Sequence, residues 1–342
     1  MEKIKIFTLT HKSFTAPSDP MYVPLQVGSA LHDDLGYLKD DTGDNISEKN
    51  IYYSELTGHY WVWKNVTDVP YVGCCHYRRY LMNDRDRLFT ESELLELFKS
   101  YDIITTKRVH LNNSYRYGFS ANHNGAVLDM TGEVIRDLYP SDYDNFISMV
   151  NDNYTHFSNM LIASKEIFDD YCSWLFSIFS EVENRVNLDT DEDSYHKRVL
   201  GFISEFLLGV YIKGRGLRSW ECKVAVMCEK KEVTETKAVL ARFFASHDFA
   251  GAKSYLLNAI TLRPDIMQEA SDITGELRMS MQVISTCEFE AAAGAKCILE
   301  KISDFNELMS YFSHLNDLIK QNQPIPDTYS EQAVYVAKTL KE

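Results

Sequence analysis

The 342-residue chain is 45% apolar and 25% charged, an ordinary globular composition with room for two domains, which excludes the disordered and fibrous classes. Its 50 acidic against 35 basic residues leave a net charge of −15, and that shortage of cations argues against nucleic-acid binding. Seven scattered cysteines form neither a disulfide framework nor a zinc spacing; with no membrane-length apolar run and no leader-like segment behind the first lysines, a reducing cytoplasm fits best.

Ile4, Ile6 and Thr8 alternate and predict a first strand over residues 3–9, with Thr10, His11 and Lys12 at its carboxyl end. Ligands of open α/β sheets bind at that end, so these three side chains are candidates for contact with a nucleotide. Residues 23–44 have no period. Asn45 and Ser47 are helix-capping types, and Tyr52, Leu56, Tyr60 and Trp63 then recur at helical spacing. Pro70 ends that pattern, and residues 71–75 read as a strand buried on both faces that runs into His76, Tyr77, Arg78 and Arg79. Continued strand alternation would send His76 and Arg78 to one face and Arg79 to the other. Basic residues gather here and at Lys213, Arg215 and Arg218, small spots that suit a phosphorylated small molecule better than a polymer.

Further along, residues 90–99 read as a short helix behind a threonine cap and 102–106 as a strand. Residues 109–124, rich in Asn, Tyr, Arg and His, have no period and read as a substrate-contacting loop that carries His123. A strand over 160–163 is entered through Asn159, and Ser164 caps a long helix with Ile167, Tyr171, Leu175, Ile178 and Val182 along one side. An amphipathic helix over 194–212 holds Glu205 within its apolar pattern, where a carboxyl must be paired, solvated or proton-shifted; that makes it a candidate acid or base beside the plainer reading of an exposed glutamate. The acidic run 189–193 fails as a calcium loop, because Ser194 and Leu200 stand where a glycine and a bidentate glutamate are needed. Asp189 and Asp191 remain an alternative Mn²⁺ or Mg²⁺ pair beside the reading of a solvated loop. Beyond Glu232 only helices are predicted, over 236–245, 249–262, 267–285, 289–300, 305–320 and from 329, the second of them tetratricopeptide-like in its small-large alternation. The chain thus divides into an α/β domain, 1–232, and a helical accessory domain, 233–342, for protein contacts or self-association.

The segments THK, GDNIS, ELTGHYWVWKN, YVGCCHYRRYL, NMLIASKEIFDDYCSWLF and YHKRVLGFISEFLL, in this order over about residues 3–215, resemble the bacterial capsular-polysaccharide-synthesis glycosyltransferases once known only as a domain of unknown function. The resemblance implies a GT-A-like, Rossmann-like nucleotide-sugar-binding domain. It implies donor contacts from Thr10, His11, Lys12, Asp44, Asn45, Ser47 and the motif His76-Tyr77-Arg78-Arg79, with Asn159 entering the acceptor-side strand and Glu205 at the glutamate of the family's GFISER-like helix. Phe206 stands where the family's helix has arginine. The expected activity is transfer of a hexose, galactose in pyranose or furanose form, from a UDP-sugar to a hydroxyl of a glycan or lipid-linked oligosaccharide in the cytoplasm or at the inner membrane face. Glu205 or Asp191 would act as base and Arg78 would stabilise the diphosphate, with no cofactor required. A non-catalytic glycan-binding or assembly protein on the same scaffold is the competing reading.

Overall fold

The computed structural model describes residues 3–189, 195–267 and 271–339, which fold as two compact units divided between Ala225 and Val226. The first unit is built on eight mixed strands. In chain order they are β1 (Ile4–Thr10), β2 (Tyr22–Gln26), β3 (Leu38–Lys39), β4 (Tyr71–His76), β5 (Arg79–Met82), β6 (Ile103–Thr106), then β9 (Leu161–Ser164) and β10 (Ser219–Val226) after a separate pair, β7 (Val109–His110) with β8 (Tyr154–Thr155). Hydrogen bonds link them in the order β3-β2-β1-β4-β5-β10-β6-β9, and β9 also bonds β4, so five strands close into a ring of pairings.

The central strands β1 and β4 run parallel, with Leu9 opposite His76, so their carboxyl ends finish together. Alternation along β1 sends Ile4 and Ile6 to one hydrophobic core and Phe7 and Leu9 to the other. Along β4 the adjacent Cys74 and Cys75 part in the same way, both buried free thiols. The larger core lies under the helices α1 (Asn50–Tyr53), α2 (Leu56–Asn65), α5 (Gly125–Leu138), α6 (Pro140–Val150), α7 (Lys165–Arg185) and α8 (Val199–Arg215); α3 (Glu91–Leu97) and α4 (Tyr115–Asn122) complete the unit's helices. β4 lies tight against β9. A Cβ on Gly73 would come within 2.8 Å of the Leu161 carbonyl oxygen, so the absence of a side chain there sets the strand spacing.

Three sequence expectations change. The helix expected from Asn45 and Ser47 is broken at Ser54, whose φ of 51° no regular helix allows; α1 stops before it and α2 begins after it. The expected loop over 109–124 contains β7 and α4, and α4 is capped by the Ser114 hydroxyl accepting from the Tyr117 N–H. The third change is at the strand end: His76 pairs with Arg79 across an antiparallel hairpin whose turn is Tyr77-Arg78, so β4 reverses into β5 and simple alternation no longer orients the two arginines.

The second unit consists of α9 (Lys231–Ala245), α10 (Phe249–Leu262), α11 (Glu276–Ala292), α12 (Phe305–Lys320) and α13 (Glu331–Thr339) around a core of Leu240, Phe244, Leu256, Leu277, Val283, Phe312 and Leu315. The expected helices over 267–285 and 289–300 are replaced by α11 and a short 3-10 turn, Ile298–Glu300. No helix of the described residues is long and apolar enough to cross a membrane.

Candidate active site

The parallel register of β1 and β4 gathers part of the expected set. The Tyr77 N–H donates to the Leu9 carbonyl, which places its ring over the end of β1. His11 meets that ring edge-on at 5.6 Å between centroids, His76 lies 4.6 Å from it, and the Arg78 guanidinium is 5.8 Å from its centre. Thr10 sits beside them, but its hydroxyl is engaged locally, accepting from the Lys12 N–H and donating to the Lys12 carbonyl at 2.5 Å.

The hairpin turns Arg79 away from this aromatic floor. Its guanidinium donates to the Ser158 hydroxyl at 3.0 Å and reaches the field of Glu205 and Glu55. Burial, and then the Arg78 charge, hold its proton affinity below the usual guanidinium range, while the two carboxylates work in the opposite direction. The two arginines are therefore neighbours in space.

Glu205 projects from α8, whose remaining inward positions, among them Val199, Ile203, Phe206 and Val210, are apolar and buried. It is partly buried itself, which removes the reading of a freely solvated glutamate. Burial first and the Glu55 charge second push its carboxyl up to about 8, against the opposing effects of Arg79, the Ser158 backbone and Arg198. The next residue, Asn159, organises the surroundings: its amide donates to Glu55 Oε1 at 2.8 Å and to the Gly201 carbonyl at 3.0 Å, and its oxygen accepts from the Ser204 hydroxyl at 2.6 Å.

Glu55 owes its place to the break between α1 and α2. The Asn50 amide donates to the Ser54 carbonyl at 2.6 Å and to the Thr57 hydroxyl at 3.1 Å, which stabilises the turn that points Glu55 toward Asn159. Room for Asn50 comes from Gly28, at φ 65°, where a Cβ would stand 2.7 Å from Asn50 Cγ. Asn50→Ala is therefore expected to lower stability by about 1–2 kcal/mol in urea unfolding, two hydrogen bonds being lost at a turn that needs them.

The other expected residues lie elsewhere. Ser47 is buried, donates to Asp40 Oδ1 at 2.6 Å and accepts from the Ala30 N–H; Asp40 in turn accepts from the Gly28 and Ser29 N–H groups. It braces the loop after β2. Asp44 accepts from the Tyr60 hydroxyl and is tied to Asn65 at the far end of α2, about 15 Å along the helix axis from Glu55. Asn45 closes its own turn, its amide donating to Gly43 and its oxygen accepting from the Ser47 N–H. His123 stacks on Phe202 at 4.2 Å, with Phe119 and Tyr195 around it, and burial, followed by the His196 and Arg198 charges, pushes it down to about 4, a neutral ring at neutral pH. Asp189 is exposed with Lys197 3.4 Å away, and Asp191 lies outside the described residues. Among the described residues no group of three or more His, Cys, Asp or Glu side chains is arranged to hold a metal ion.

Sequence reasoning missed Glu55, Ser158 and Arg198. An acid just before a helix is common because the helix dipole favours it, so Glu55 carried no distinguishing signal.

A family model described as a domain of unknown function, DUF4422, matches residues 5–216. Among solved structures, the chain is similar to the apo structure of the bifunctional glycosyltransferase WbbM, with 28% identity and a TM-score of 0.61 over 66% of this chain and 46% of that one. The chain thus spans less than half of that protein's length. No curated protein matches it.

Proposed function

We propose, from the premise that the chain belongs to the DUF4422 family, that it is a glycosyltransferase moving a sugar from a nucleotide-diphosphate donor to a hydroxyl of a growing surface glycan. The observation that carries this reading is the hairpin at the strand ends, where Arg78 lies beside Arg79 and Arg79 in turn reaches the field of Glu205, a partly buried carboxyl pushed up to about 8. The likeness to a bifunctional glycosyltransferase supports the reaction class.

Sugar transfer from a diphosphate makes two demands, positive charge where the leaving group develops and a base able to take a proton near neutral pH. In the proposed step the acceptor O–H proton passes to the Glu205 carboxylate while the acceptor oxygen bonds the anomeric carbon. The bond from that carbon to the diphosphate oxygen breaks, and its electron pair leaves with the diphosphate, whose charge faces Arg78. Tyr77, with His11 and His76 against it, offers a ring surface for the base or sugar. The donor is a UDP-sugar, with galactose in either ring form as the sugar, and the acceptor is a glycan or lipid-linked oligosaccharide of a capsule or other surface polymer. Arginines able to face the diphosphate make the step independent of metal in this reading.

Calorimetric titration of UDP into the protein, once with Mn²⁺ and once with chelator, tests the donor side. Binding that survives chelation is the expected result. Binding that needs Mn²⁺ would move the diphosphate to an acidic pair such as Asp189 and Asp191, and no binding in either condition would exclude a uridine donor.

A further inference from the structure

Residues 109–124 supply nothing to the transfer step, yet the fold ties them to the loop that holds Arg79. Because β9 runs antiparallel to both β4 and β6, those two strands point the same way and their carboxyl ends share one edge of the sheet. Thr106 ends β6 at that edge. Its hydroxyl donates to the Phe157 carbonyl at 3.0 Å, and its own carbonyl stands 2.9 Å from His156 Nδ1. The next residue, Ser158, accepts from the Arg79 guanidinium at 3.0 Å and holds a φ of 71°. Such strained backbone persists where the surroundings over-determine it, most often at functional sites. Phe157 is thus fixed by contacts on both sides, one residue from the arginine hairpin.

Among the described residues of the first unit, the large aromatic side chains left exposed are Tyr117, Tyr154 and Phe157, at 64%, 44% and 43%. All three belong to two segments joined by hydrogen bonds. β7 pairs with β8, His110 opposite Tyr154, and their rings meet edge-on at 4.8 Å, with Asn153 Nδ2 2.9 Å from His110 Nε2. The Leu111 N–H donates to the Asn153 carbonyl and the Tyr115 N–H to the Asp152 carbonyl, which docks the start of α4 against the approach to β8. On α4, Ser114, Arg116, Tyr117, Ser120 and Ala121 line a shallow cavity of about 450 Å³. The flanking arginines are neutralised within the protein, Arg108 by Glu221 and Arg116 by Asp129.

We propose that this surface, from Phe157 to Tyr117, is a glycan subsite: it holds the sugar rings of the acceptor that lie beyond the reacting hydroxyl. A hexose ring presents a face of C–H groups that packs on the negative face of an aromatic ring, while its hydroxyls bond to nearby amides and hydroxyls. Exposed rings, with Asn153 beside His110 and with Ser114 and Ser120 beside Tyr117, supply both kinds of contact. With its arginines already paired, the surface suits a neutral sugar better than a phosphate. Its continuity with the site runs through Ser158, on the Arg79 side of the hairpin and away from the Tyr77 ring over β1. The role as acceptor subsite rests on the transferase reading; the binding of glycan by these rings does not.

The test passes the full chain, as wild type, F157A, Y117A and the double variant, over an immobilised panel of short oligosaccharides of glucose, galactose, mannose and N-acetylglucosamine. UDP is titrated into each protein by calorimetry, and melting temperature checks the fold, which exposed side chains should leave intact. Wild type is expected to be retained by part of the panel, more strongly by the longer glycans. Each truncation is expected to weaken retention about three- to tenfold, F157W and Y117W to restore it, and UDP binding to stay at the wild-type level. Unchanged retention in the double variant, or no retention of wild type, overturns the proposal. Loss of UDP binding in F157A at an unchanged melting temperature also overturns it, because the ring would then stack on the donor's base. A wild-type dimer that the double variant dissolves in sedimentation, with glycan retention unaltered, would assign the surface to a second copy instead. Ring-dependent retention by a protein that binds no UDP would keep the glycan subsite and count against the transferase reading alone.

Discussion

Glu205→Gln is expected to reduce turnover by about a hundred- to ten-thousand-fold while making the protein harder to unfold at alkaline pH. Both effects follow from one property. The carboxyl titrates near 8 in the folded chain, against about 4.3 when unfolded. Below the unfolded value both states hold the proton and the carboxyl costs nothing. As pH rises from there toward 8, the unfolded chain gives up its proton and the folded one does not, so the stability contribution present in acid is progressively lost; above 8 the loss is complete. Glutamine carries no charge at any pH and removes that decline. The variant should match wild type in melting temperature near pH 4 and exceed it increasingly up to pH 8, by an amount worth about a few kcal/mol. Wild-type turnover should climb over the same interval, because only the carboxylate accepts a proton. A variant that transfers sugar at the wild-type rate would remove Glu205 as the base, and a variant no more stable at pH 9 would remove the physical premise.

Arg78→Ala carries the second large expectation, a loss of at least about tenfold in turnover together with weaker UDP binding. Arg78 is 3% exposed and lies beside Arg79, so the fold holds two like charges close together at a strand end. Such repulsion is offset in part by Glu55 and Glu205 and would be offset further by a bound diphosphate. Removing Arg78 relieves the repulsion even as it opens a small gap, and melting temperature measured alongside turnover separates loss of function from loss of fold. Arg78→Lys is a sharper probe: it keeps the charge but not the planar fork, and should recover only part of the activity if two phosphate oxygens are held at once. Unchanged turnover in Arg78→Ala would end the assignment of a diphosphate to this hairpin.

The sequence was readable where local pattern and tertiary structure agree. Alternation in Ile4, Ile6 and Thr8 located the first strand, the apolar run before His76 located its parallel neighbour, and Ser164 marked the start of α7, where its hydroxyl accepts from the Ile167 N–H. Two decisive features carried no recognisable sequence signal. Ser54 bends the chain because the Asn50 side chain holds its carbonyl, and no propensity of serine forecasts that. The hairpin at Tyr77-Arg78 lacks the glycine or asparagine that usually announces one, so the basic motif read as the end of a strand. Consequently the sequence put His76, Arg78 and Arg79 together at the end of one strand, whereas the reversal at Tyr77-Arg78 and the approach of Arg79 to Glu205 and Glu55 were legible only in three dimensions. Ser47 and Asp44 show the converse: a polar pattern that looked like ligand contact is spent on bracing loops at Asp40 and Asn65.

The ring of strand pairings has a consequence for how the protein behaves at high concentration. Because β9 bonds both β4 and β6, most strands have hydrogen-bonded neighbours on each side, and the sheet's open margin is β3. That strand is two residues long, Leu38 and Lys39, and Lys39 places a charge there with Asp34 and Asp41 nearby. A short, charged margin is a poor template for a strand from another molecule, so the sheet is guarded against edge-to-edge aggregation by its own closure.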